Sequence, residues 1–175
     1  MNRIIQWGGY YMSKKIYLLI IIFAPLIIGY LHNWVTVRFI TIPILFIINI
    51  YWYGSPILMA YFWFWAGGKF AQSNIKIFYS ILFGNIAGIV SLFIYFWQFV
   101  YTPPIHRNAF LAATSMYFSS IVSIYLARLA RLFEPNKNHI GMVTLNAMEI
   151  IGLMFMIIIF TLGYCYKKRK LRMII

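Results

Sequence analysis

Glu149 is one of only two acidic residues in the chain, the other being Glu134, and it sits inside the apolar stretch LNAMEIIG at 145–152. An ionisable side chain within a membrane-length apolar segment faces the bundle interior and has a partner. Such residues mark ion paths, proton relays or buried structural pairs. Asn146, one helical turn earlier, shares a face with Glu149, as do positions 139, 142 and 153. If the last two predicted helices pack antiparallel, Ser123 comes level with Glu149, and Arg128 lies close enough for its long side chain to reach the carboxylate. The candidate intramembrane polar site is therefore Glu149, Asn146, Arg128, Ser123 and Ser119, with Arg128 as counter-charge and the serines as hydrogen-bond donors. Three chemistries fit it: a buried pair that fixes helix register, cation binding or proton transfer in transport, and acid–base catalysis. A shift in the pH dependence of function in Glu149→Gln separates them.

Other chemistries are argued against. The chain has no GxSxG, HExxH, P-loop or GxGxxG motif and no clustered Asp pair. Metal-dependent phosphoryl transfer needs several carboxylates, so neither enzyme activity nor a metal is expected. His32, His106 and His139 all fall at the ends of apolar segments. They are expected as interfacial side chains, and no haem or other cofactor is expected. The single cysteine, Cys165, can form neither an internal disulfide nor a cysteine-based metal site. Asn49 and Asn85 lie deep in apolar segments, where amides hydrogen-bond across helices or line a polar cavity.

The elements that must hold these residues are membrane helices. Hydrophobic residues make up 63% of the chain and charged residues 10%, against about half and a quarter in a soluble domain. The core of a 175-residue chain cannot hide that much apolar surface. An aromatic content of 21% suits many membrane–water interface positions. Fifteen Lys and Arg give a net charge of +13. On apolar segments such residues set topology and attract anionic lipid headgroups, so no nucleic-acid partner is expected.

Apolar runs predict helices over 16–31, near 36–53 and 56–71, and over 77–101, 109–132 and 140–166. HNW at 32–34 reads as a tight turn. Gly54, Ser55 and Pro56 read as a helix stop, an N-cap and a first helical residue. The expected fold is all-α: a polytopic integral membrane bundle of about six transmembrane helices. Five helices, or four plus a re-entrant hairpin across 39–66, are the alternatives. Even parity, with both termini on one side, is preferred because the basic tail abuts its helix. Residues 1–175 form a single transmembrane domain with a short basic tail at 167–175.

Gly84 and Gly88 have GxxxG spacing, and Ser115, Ser119, Ser123 and Ala127 extend a second small-residue ridge. Such ridges let helices approach closely, within the chain or between copies. The expected role is a subunit or accessory partner in a membrane complex or homo-oligomer. The alternative is a small channel or transporter centred on Glu149. The expected partners are the bilayer, anionic headgroups and other membrane subunits or the chain itself. The expected location is a bacterial inner or plasma membrane, or an organellar inner membrane, crossed several times.

Overall fold

The computed structural model describes residues 5–7, 10–12, 14–40, 45–73, 75–115 and 141–173. A short antiparallel hairpin pairs Ile5–Trp7 with Tyr10–Met12. Among the described residues all other regular structure is helical: α1 Lys14–Ile40, α2 Leu45–Ala71, α3 Ile77–Gly84, α4 Ile86–Phe96, α5 at residues 109–115 and α6 Met142–Arg172. A π-helical turn, Trp97–Tyr101, extends α4, and a 3-10 turn, Pro104–His106, leads to α5.

The helix boundaries depart from the sequence pattern in four places. There is no turn at 32–34, because α1 runs unbroken to Ile40. HNW contains neither Gly nor Pro, so nothing there prevents the backbone from continuing its helical hydrogen bonds. Nor is there a break at 54–55, because α2 passes through Gly54, Ser55 and Pro56 as one helix. A proline forfeits one backbone hydrogen bond, whereas a full break orphans several at each new end. Two of the expected helices are thus one, and no re-entrant hairpin forms across 39–66. Conversely, the expected single helix over 77–101 is bent by 51° between α3 and α4. The Asn85 side-chain Nδ2 and its own backbone N–H both donate to the Ile81 carbonyl, at 2.9 and 3.2 Å. The short amide competes with the backbone at the bend. Finally, the basic tail is helical as far as Arg172.

Helix directions follow from the contacts. Tyr95 of α4 meets Asn146, Gly84 of α3 packs on the Phe160 ring, and the Tyr164 hydroxyl donates to the Ile75 carbonyl at 2.9 Å. Numbers rise along α3–α4 as they fall along α6, so the two are antiparallel. Gly67 instead abuts the backbone of Phe160 and Tyr164, and Gly68 faces Lys167. Parallel α2 and α6 share the largest helix interface. Their core holds Trp63, Ala66, Phe70, Met156, Phe160 and Tyr164, closed on one side by Ile21 and Ile22 of α1. Tyr17, at the start of α1, packs edge-on against Trp65 near the end of α2.

Among the described residues, nine basic ones therefore collect at one end of the bundle. They are Lys14 and Lys15 from the start of α1, Lys69 and Lys76 flanking the α2–α3 turn, and Lys167, Lys168, Arg169, Lys170 and Arg172 from the end of α6. Among the described residues the opposite end has Arg38 and Arg107.

α6 is the one described helix long and apolar enough to cross a membrane, and the bent α3–α4 pair passes the same test if taken as one span. Between Glu149 and its basic end α6 is apolar on nearly every side, the pattern of a helix surrounded by apolar material. Yet Ile150, Ile151, Met154, Phe155, Ile158 and Leu162 are exposed on it.

Candidate functional site

The strongest candidate is the polar cluster between α4 and α6. Asn146 and Glu149 are half-buried on one face of α6, about 6 and 10 Å from its start. Tyr95, buried on α4, donates its hydroxyl hydrogen to Asn146 Oδ1 at 3.2 Å. Glu149, one turn further on, lies within electrostatic reach of the same phenol and is itself partnered. A hydroxyl and an amide thus meet between α4 and α6, with a carboxyl group one helical turn further along α6. They supply acceptors and one movable proton, which suits cation binding, proton exchange or a fixed network.

Of the residues the sequence pattern assigned to this site, Glu149 and Asn146 are together. Arg128, Ser123 and Ser119 lie outside the described residues, as do His139 and Ala127. The antiparallel packing expected of the last two helices does not hold for the described part of α5. Asn108 donates its backbone N–H to Gln98 at 2.8 Å, and the Ser91 hydroxyl donates to the Ser115 carbonyl at 2.7 Å. α5 therefore runs opposite to α4 and in the same direction as α6. Asn108 caps it, its side-chain oxygen accepting from the N–H groups of Phe110 and Leu111.

Tyr95 escaped the sequence pattern because it sits in the aromatic run YFWQFVY, which reads as an interface belt. Its position opposite Asn146 depends on the register of α4 against α6. Next to it, the π turn is closed by Arg107, which donates to the carbonyls of Phe99 and Thr102 at 3.2 and 3.3 Å and covers the Phe99 ring. π turns recur at functional sites, and this one flanks the polar cluster. His106 is exposed beside it.

The expected packing residues Gly84, Gly88 and Ser115 are all buried within the chain. Gly84 accommodates the Phe160 ring, and Ser115 accepts from Ser91. The closest helix approach uses glycines that the spacing did not single out. Gly67 lies on the backbone of Phe160, and Gly163 on that of Phe64. The small-residue run AGG at 66–68 was a signal for Gly67, whereas Gly163 stands alone between Leu162 and Tyr164. Asn85, deep in its segment as expected, is 1% exposed, and its Oδ1 has no hydrogen-bond partner among the described residues. Among those residues no group of three His, Cys, Asp or Glu could hold a metal ion. Compared with protein-family models, curated proteins and solved structures, the chain matches none.

Proposed function

We propose that this chain is a multi-pass helical membrane protein that serves as a subunit or accessory partner in a membrane complex or homo-oligomer. The observation that carries the reading is the exposure of large apolar side chains on every long helix. Ile20, Phe23 and Ile27 on α1, Leu58 and Tyr61 on α2, Phe83 and Phe93 on α3 and α4, and Ile151 and Phe155 on α6 all face outward. Water does not tolerate so continuous a surface, and acyl chains or neighbouring helices do. α1, α2, the α3–α4 pair and α6 then cross the bilayer. The start of α1 and the end of α6 lie at the same end of the bundle, which supports an even number of crossings. The work is then done through helix contacts, in a bacterial inner or plasma membrane or an organellar inner membrane. Mass measurement of the protein purified in mild detergent tests this: copurifying partners or a homo-oligomer are expected, and a stable lone monomer refutes it.

The Tyr95–Asn146–Glu149 cluster favours a second reading, a small channel or transporter. Ion or proton flux in proteoliposomes, abolished by Glu149→Gln with folding intact, would establish it. Unchanged flux in that variant would remove it.

A further inference from the structure

We propose that the basic end of the bundle is a docking surface for anionic phospholipid headgroups, and that it holds this end at the cytoplasmic or matrix leaflet; the proposal rests on the membrane reading above. Three chain segments far apart in sequence deliver their Lys and Arg to this one end. Among the described residues the one carboxylate, Glu149, lies about 27 Å back along α6 from Lys167. The positive charge is therefore balanced from outside the described chain, and loops bearing it favour the cytoplasmic side.

Local geometry selects lipid over an acidic soluble polypeptide. The Lys69 ammonium lies over the rings of Tyr17 and Trp65, at 5.8 and 5.4 Å from their centroids, and the Phe64 and Tyr166 rings pack together nearby. Aromatic side chains of this kind settle at headgroup level. Lys69 and Lys167 are only part-exposed, with the Lys167 stem against Gly68. This is the posture of a lysine whose methylenes cover apolar surface while the ammonium reaches polar material. Tyr164 bonds to Ile75 in the turn after α2, so residues 165–172 extend about 12 Å past that level, still helical. Exposed Ile16, Phe78 and Leu162 lie immediately inward. A ligand with a phosphate outside and acyl chains inside matches both zones, and an acidic polypeptide matches only the outer one.

The test uses the full chain reconstituted in phosphatidylcholine vesicles, with and without phosphatidylglycerol. Quenching by lipids brominated on their acyl chains is read from Trp65, assigned by difference from Trp65→Phe. Brominated phosphatidylglycerol should quench more strongly than brominated phosphatidylcholine at equal mole fraction. The preference should fall about five-fold for each charge removed in Lys69→Gln and in the combined Lys69→Gln, Lys167→Gln and Lys168→Gln variant, and should weaken with salt. Arg107→Gln, at the other end, should leave it unchanged. Equal quenching by the two lipids, or an equal effect of Arg107→Gln, overturns the proposal. Lysine-dependent binding of polyglutamate to neutral vesicles, without a lipid preference, overturns it in favour of an acidic polypeptide. Resistance of the inserted protein to alkaline extraction is scored in parallel. Insertion without preference defeats only the headgroup surface, whereas failure to insert in any vesicle defeats the membrane reading with it.

Discussion

Gly67 and Gly68 are neighbours on α2, yet alanine should have opposite effects at the two positions. A Cβ at Gly67 would strike the Phe160 carbonyl oxygen and lie 2.9 Å from the Tyr164 nitrogen, where ordinary contact begins at 3.4 Å. Both neighbours are backbone of a long helix and cannot rotate away, so α2 and α6 must separate by about 1 Å or more, the carbonyl oxygen setting the distance. A gap of 0.5–1 Å forfeits roughly a quarter to a half of each contact it opens. Overpacking of this kind costs about 1–3 kcal/mol, with a rigid backbone neighbour at the upper end. The helix preference for alanine over glycine returns about 1 kcal/mol. Gly67→Ala should therefore destabilise by about 2 kcal/mol, a change in the folded-to-unfolded ratio of roughly thirty-fold. At Gly68 the new Cβ would lie 3.7 Å from the Lys167 Cβ, an ordinary contact. Only the propensity gain of about 1 kcal/mol remains there. Unfolding by sodium dodecyl sulfate titrated into mild detergent, followed by far-ultraviolet circular dichroism, measures both. Gly163→Ala should resemble Gly67→Ala. The double variant should cost less than the sum, because one separation of the helices accommodates both methyl groups. Equal effects at Gly67 and Gly68, or a change below about 0.5 kcal/mol in Gly67→Ala, would refute the close crossing of α2 and α6.

Three further outcomes are expected. Cys165 is exposed at the basic end, so a membrane-impermeant maleimide should label it from the same face as Lys15→Cys and from the face opposite Arg107→Cys, each made in a Cys165→Ser background. Labelling of positions 15 and 165 from opposite faces would contradict the even number of crossings. Tyr95→Phe removes one interhelical hydrogen bond and should cost about 0.6 kcal/mol. Under the transport reading it should also slow flux, and under a purely structural reading flux is absent in both proteins. Arg107→Ala uncaps two carbonyls of the π turn and should speed amide hydrogen exchange at 97–102 by about ten-fold, the equivalent of one charge-assisted hydrogen bond; unchanged exchange there would show that Arg107 does not hold the turn.

Residue composition pointed to helices, since a chain that is 63% apolar favours the element that satisfies its backbone groups within its own segment, and the described residues are helical apart from one short hairpin and the turns. It also pointed to Glu149 and Asn146, because a polar pair one turn apart in an apolar segment shares a face whatever surrounds it. Gly84, Gly88 and Ser115 were legible as small residues, although their neighbours were not. Helix ends were read poorly where Gly54, Ser55 and Pro56 looked like a break, because the cost of orphaned backbone groups outweighs one proline. Asn85 looked like an interhelical donor and instead bends its own helix. Helix direction and register were decided by tertiary structure alone. They set Tyr95 against Asn146, brought Gly67 and Gly163 onto facing backbones, and gathered lysines from three distant segments at one end. The physical reason is that composition and period fix what each helix is made of, whereas the partner of each face is selected by close packing among helices that are apolar on nearly every side.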